Sequence, residues 1–130
     1  MTRPLVSILM SCFNAERFVA AALESILAQT WHQIEIIAVN DGFTDVTSDV
    51  LERFADRGIR VIHQRNQGQC AAANRALAEA QGELIKFFDA DDVMAPDMIE
   101  RQVKRLEGRR DSVAMREAWM RLAKPHLRQR

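Results

Sequence analysis

The sequence predicts an α/β protein, a Rossmann-like three-layer α/β/α domain with a mainly parallel sheet. Three observations lead there. Short apolar runs alternate with segments whose apolar residues recur at helical spacing. The connections between them are short and free of repeats or low-complexity linkers. The last clear apolar run, Leu84 to Phe88, ends in three carboxylates, Asp89, Asp91 and Asp92. Alternation of this kind places helices on both faces of a parallel sheet, joined by right-handed crossovers. An apolar run bounded by polar residues suits a strand buried on both faces. Carboxylates at its carboxyl end lie where open α/β sheets bind ligands.

Val6 to Cys12 reads as the first strand. Asn14 can cap a helix running through Phe18, Val19, Ala22, Leu23, Ile26 and Leu27. Glu35 to Val39 is a second strand, broken by Asn40-Asp41-Gly42. Thr44 or Asp45 can cap a second helix bearing Val46, Val50, Leu51 and Phe54, and Gly58 stops it. Ile59 to His63 is a third strand, and Asn66-Gln67-Gly68 a turn. Cys70 to Ala80 is Ala-rich and helical, with Gly82 ending it. Leu84 to Phe88 is the fourth strand. Pro96 suits the first turn of a helix carrying Met98, Ile99, Val103 and Leu106 on one face. Ser112 to Ala123 reads as a last amphipathic helix, stopped by Pro125. The four strands are expected in spatial order 3-2-1-4, because the acidic loop must reach Asp41 and Ser11 around one ligand. The division is a ligand-binding domain over 1–110 and a basic helical tail over 111–130.

Composition narrows the function classes. At 130 residues and 48% apolar content, one globular domain with a real core is expected. No stretch approaches the ~18 consecutive apolar residues of a membrane span. The N-terminus lacks a signal-peptide plan. Cys12 and Cys70 form no disulfide framework or zinc spacing and read as buried thiols, which fits a cytoplasmic location. The zero net charge hides an asymmetry. Residues 1–100 hold 8 basic and 15 acidic side chains, whereas 101–130 hold 10 and 3. The basic end is a candidate for peripheral contact with anionic lipid, or simply a solvated helical face. It lacks the interleaved aromatics used for base stacking, so no nucleic-acid partner is expected. The first strand is followed by neither G-x-G-x-x-G nor a P-loop, which disfavours a dinucleotide cofactor or a P-loop ATPase. His63, at a strand end without an acidic neighbour in sequence, reads as a solvated surface residue.

Asp89, Asp91 and Asp92 carry the chemistry. Carboxylates this close repel, and a divalent cation with hard oxygen ligands removes the repulsion. A metal site that also holds something phosphorylated is the direct reading. Asp92 also suits a turn cap, Asp41 a turn, and Phe13 the core.

Four segments together resemble the N-terminal, nucleotide-sugar-binding half of family 2 glycosyltransferases of the GT-A fold. They are Val6 to Asn14 with Leu23 to Thr30, then Glu35 to Asp45, then Asn66-Gln67-Gly68 with Ala72 to Arg75, and finally Gly82 to Ile85 leading to Asp89-Ala90-Asp91-Asp92 and Pro96. The resemblance implies a partial GT-A domain that transfers a sugar from a nucleotide-diphosphate sugar to a saccharide, lipid or protein acceptor. It implies Mg²⁺ or Mn²⁺ as cofactor and an inverting displacement. Asp91 and Asp89 match the family's metal-contacting D-x-D pattern. Ser11, Phe13, Asn14, Asp41, Asn74 and Asp89 match positions that contact the nucleotide sugar, with Asp41 on the base. Asn40 and Phe43 stand where the family usually has an acid and a small hydroxyl residue. Ala73 stands where an arginine is common.

The family's second half supplies the acceptor site and the general base, and no base is identifiable here. The chain therefore reads as a donor half, a shortened copy, or a non-catalytic binding or interaction module left by truncation. A receiver-type phosphotransfer domain also clusters acids at strand ends. That fold expects a lysine after a late strand, whereas Lys86 lies inside the acidic one.

Overall fold

A computed structural model describes residues 3–42, 45–106 and 119–121. Five strands, β1 (Val6–Cys12), β2 (Ile34–Asn40), β3 (Arg60–His63), β4 (Leu84–Phe87) and β5 (Trp119–Arg121), form one sheet in the order β3-β2-β1-β4-β5. The first four are parallel. Val6 lies opposite both Ile34 and Leu84, and Ile37 lies opposite Arg60. The expected order 3-2-1-4 is thus observed. Among the described residues four helices connect the strands: α1 (Val19–Leu27), α2 (Asp45–Ala55), α3 (Gln69–Glu79) and α4 (Met98–Leu106).

Alternation along the strands builds two cores. Val6, Ile8, Met10 and Cys12 point to one face with Ile36, Ala38 and Leu84. There they pack on Val19, Leu23 and Ile26 of α1, Val50, Leu51 and Phe54 of α2, and Ile99, Val103 and Leu106 of α4. Leu9, Ile37, Val39, Ile62 and Ile85 point to the other face, beneath Ala72 and Ala76 of α3. Each fully buried Leu or Ile contributes about 1.5–3 kcal/mol through removal of apolar surface from water. The Ala-rich face of α3 lets that helix lie close to the sheet.

Several expectations are corrected. Within the span expected to be a last helix, Trp119–Arg121 is a strand antiparallel to β4. The remainder of that span lies outside the described residues. Pairing covers the β4 edge, which would otherwise present unpaired backbone groups, and local periodicity does not register such a contact. Asn14 does not cap α1. It takes a left-handed conformation at φ 50, and the helix begins only after a turn from Ala15 to Phe18. Asn tolerates that conformation better than most residues. Phe18 and Val46, expected on apolar helix faces, are exposed. Thr44, offered as a cap of α2, lies outside the described residues.

Gly82 does not end α3, which stops at Glu79. Its hydrogen instead faces β1, where a Cβ would lie 2.5 Å from Ser7 Oγ and 2.7 Å from the Leu5 carbonyl oxygen. Cys12 is buried, as expected, and burial pushes its thiol pKa up to about 12. Cys70 is exposed. No helix among the described residues is long and apolar enough to cross a membrane.

Candidate active site

The loops after β1, β2 and β4 and the N-terminus of α3 enclose a cavity of about 620 Å³. β1 contributes Ser11, and the loop and turn after it contribute Phe13, Asn14, Ala15 and Phe18. The loop after β2 contributes Asp41, the turn before α3 contributes Asn66 and Gly68, α3 itself contributes Gln69, and the β4 loop contributes Asp89, Ala90 and Asp91. Neighbouring strands of a parallel sheet deliver their carboxyl ends side by side, which is why residues so far apart in sequence meet here. Ser11, Phe13, Asn14, Asp41, Asp89 and Asp91 all line this one cavity. Asn74 is not among the lining residues and sits exposed on α3. Phe18, Ala15 and Gln69 are lining residues that the sequence reading missed. Phe18 read as helix core because it falls one residue before a helical apolar face. A smaller recess of about 50 Å³ adjoins the cavity between Ser11, Gln69, Ala73, Phe87 and Asp89.

Asp41 is almost fully buried, and its carboxylate works within the protein. Oδ1 accepts from Gln64 Nε2 at 2.8 Å and from the Gln67 N–H at 2.9 Å, and Oδ2 accepts from the Gly68 N–H at 3.0 Å. The end of β2 is thus tied to the turn that opens α3. A carboxylate offers about four acceptor positions. Three are filled, and the open one is on Oδ2. Burial raises the Asp41 pKa, but the hydrogen bonds from Gln64, Gln67 and Gly68 outweigh it and hold the carboxyl below its ordinary 3.8. A depressed folded value contributes stability that is fully present above the ordinary value and is lost as pH falls through the folded one. The Gln67 and Gly68 amide resonances are accordingly expected to titrate with a midpoint below 3.8. A midpoint at or above that value in an NMR pH titration would disprove the clamp.

Asp89, Asp91 and Asp92 place one carboxylate oxygen each within 4.8 Å of one another, all three exposed. In a water-like medium two unit charges at that separation repel by about 0.9 kcal/mol, and at an effective dielectric of 20 by about 3.5 kcal/mol. The protein can hold such a cluster, and a cation would relieve it. Asp92, read from sequence both as part of the acidic cluster and as a turn cap, lies in this group. Its backbone N–H donates to the Asp89 carbonyl at 3.1 Å, which folds the loop back on itself.

His63 is exposed but not isolated. Its Nε2 meets Glu52 of α2, and its Nδ1 lies 3.2 Å from Asn40 Nδ2. The acidic neighbour missing in sequence is supplied by the fold. Asn40 Oδ1 is buried without a hydrogen-bond partner among the described residues.

The sequence profile of Glycosyl transferase family 2 matches residues 7–120. A Bacillus subtilis protein described as a glycosyltransferase, EpsH, is 42% identical over 106 residues, which is 80% of this chain and 31% of that protein. Glycosyltransferase GlyG of Streptococcus pneumoniae is 38% identical over 99 residues, 74% of this chain and 33% of that protein. Among solved structures, the mannosyltransferase PcManGT of Pyrobaculum calidifontis, in complex with GDP-Man and Mn²⁺, superposes with a TM-score of 0.76. It is 26% identical over 82% of this chain and 33% of its own. The S. aureus protein TarS (residues 1–349) in complex with UDP-GlcNAc gives 0.74 at 23% identity, over 79% of this chain and 31% of its own, and speaks to the fold. The chain spans about a third of the length of these relatives. Its α/β fold is of the GT-A type, and the chain belongs to glycosyl transferase family 2.

Proposed function

We propose that this chain is the donor-binding part of a glycosyltransferase that takes a sugar from a nucleotide-diphosphate sugar with the help of Mg²⁺ or Mn²⁺. The observation that carries the reading is the convergence of Asp41, Ser11, Asp89 and Asp91 on one cavity at the carboxyl ends of three adjacent strands. Asp41 Oδ2 keeps one acceptor position for an N–H of the nucleobase. Phe13 and Phe18, each about half exposed at the rim, offer apolar faces to the base or ribose. Ser11, Asn14 and Asp89 supply polar contacts to the rest of the donor, and Asn74 enters only if the donor extends along α3.

The three-carboxylate group fits a hard divalent cation, whose preferred ligands are oxygens and which keeps several waters. Asp91 and Asp89 would hold it, with Asp92 completing the charge. A cation there supplies Lewis-acid stabilisation of the departing nucleoside diphosphate. The chain's own residues bind and orient the donor. In the proposed inverting displacement, the base that takes the acceptor's proton approaches from the opposite side. PcManGT, whose complex holds GDP-Man and Mn²⁺, supports the donor class. The acceptor, a saccharide, lipid or protein, and a cytoplasmic location with membrane contact through the basic end belong to the same proposal. A non-catalytic donor-binding module is the second reading, consistent with the commitment of the cavity carboxylates Asp41, Asp89 and Asp91 to the turn clamp and the acidic cluster.

Titration calorimetry with UDP and GDP, with and without Mn²⁺, tests the site. Asp91→Asn is expected to weaken the Mn²⁺-dependent part of binding by about 1–3 kcal/mol, the scale of a charged contact. Binding without metal should be unchanged. Equal affinity of the variant and the wild type in the presence of Mn²⁺ would remove Asp91 from the metal site.

A further inference from the structure

The stretch Ser25–Thr30 has no role in the reading above, yet it makes several hydrogen bonds to the segment that follows the acidic residues. Ser25 Oγ accepts the Met94 N–H at 3.0 Å while donating to the Ala22 carbonyl at 2.7 Å. Gln29 is 2% exposed, and its side chain bridges two points of the β4–α4 connection. Its Nε2 donates to the Ala95 carbonyl at 2.7 Å, and its Oε1 accepts the Ile99 N–H at 3.0 Å. Ile99 is in the first turn of α4, where amides lack partners inside the helix. The Thr30 N–H adds a bond to the Pro96 carbonyl at 2.9 Å.

These bonds fix where the acidic loop ends. Its start is fixed by the Phe88 N–H, which donates to the Leu9 carbonyl at 2.9 Å. Between the two anchors, Ala90 and Met94 are buried in the core, whereas Asp89, Asp91 and Asp92 are exposed. The carboxylates therefore sit on a short span pinned on both sides. The Ser25 anchor is only two residues beyond Asp92. A cation site of three exposed carboxylates depends on such support, which adds to the Asp92 N–H bond to the Asp89 carbonyl in keeping like charges converged.

We propose that Ser25 and Gln29 are positioning residues for the cation site, holding the Asp89–Asp92 loop in its convergent form from the C-terminal end of α1. This rests on the donor-site reading above. The test measures Mn²⁺ affinity by the electron paramagnetic resonance of free Mn²⁺, in the presence of saturating UDP or GDP. Wild type, Ser25→Ala, Ser25→Thr and Gln29→Glu are compared at a temperature where circular dichroism shows all of them folded. Ser25→Ala is expected to raise the Mn²⁺ dissociation constant about tenfold, the usual lower effect of removing an outer-shell support. Ser25→Thr keeps the hydroxyl and should stay within about twofold of wild type. Gln29→Glu keeps the acceptor for Ile99 but loses the donor to Ala95, and should fall between them. Metal-free nucleotide affinity should not move in any variant, which a general loss of structure would not allow. Folded Ser25→Ala and Gln29→Glu with wild-type Mn²⁺ affinity would overturn the positioning role alone. Wild type that takes up no Mn²⁺ would overturn it together with the donor-site reading.

Discussion

Gly42→Ala is expected to destabilise the fold by about 3 kcal/mol or more and to abolish measurable nucleotide binding. Gly42 has φ +93, a conformation that costs a residue with a side chain about 1–3 kcal/mol. The added Cβ would also lie 2.2 Å from the Asn66 nitrogen and 2.8 Å from the Arg65 carbonyl carbon. Both are backbone atoms that no rotamer change can move, so overpacking adds about 1–3 kcal/mol. Relief requires the 65–66 backbone to retreat. That turn carries Asn66 into the cavity and continues into the Gln67 and Gly68 amides that Asp41 holds. Stability and nucleotide affinity should therefore fall together. Gly58→Ala is the internal control. Gly58 has nearly the same φ, +91, but nothing lies within 4 Å of its Cβ position. It should cost only the conformational term, about 1–2 kcal/mol, and leave binding intact. Urea denaturation of both variants decides the matter. Equal losses would mean that the close approach of β2 to the 65–66 turn is not maintained in solution.

The contrast between these two glycines shows where sequence reasoning stops. Gly58 and Gly42 both read as turn glycines. Only the fold shows that one faces solvent and the other the backbone of a distant segment. The same holds elsewhere. The four parallel strands were legible because each is a short, predominantly apolar run bounded by turn or helix signals. Their order was legible because the acidic loop, Asp41 and Ser11 had to share a ligand. The β5 pairing was not, because a three-residue edge strand carries no periodicity of its own and its partner is far away in sequence. Asp89 and Asp91 announced themselves by abrupt charge after an apolar strand. Gln29 did not, because a buried glutamine bonded to three backbone groups looks in sequence like any polar residue after a helix. Asn74 came from the family resemblance alone, and at the sixth position of α3 it is not among the residues that line the cavity.

Residues 1–130, expressed alone, are expected to bind a nucleotide-diphosphate sugar and yet transfer its sugar at least about 10²–10⁴-fold more slowly than a full-length relative. That factor is what a positioned general base contributes. The carboxylates that line the cavity, Asp41, Asp89 and Asp91, are already committed to the turn clamp or the proposed cation site. A carboxylate beside a cation is a poor proton acceptor, because the neighbouring positive charge lowers its pKa. Loss of acceptor positioning acts in the same direction and is worth up to about 7–11 kcal/mol when fully realised. Slow release of nucleoside diphosphate to water should persist, since stabilising the leaving group requires only the donor pocket and cation. The measurement is nucleoside diphosphate release with Mn²⁺, with and without a panel of saccharide acceptors. Release that acceptors do not accelerate is the expected result. Asp91→Asn should lower it further, which separates enzymatic hydrolysis from background. Transfer to an added acceptor at the rate of a full-length relative would overturn the prediction. It would mean that a carboxylate of this chain, or of a second copy docked against it, reaches the acceptor hydroxyl from the side opposite Asp89 and Asp91.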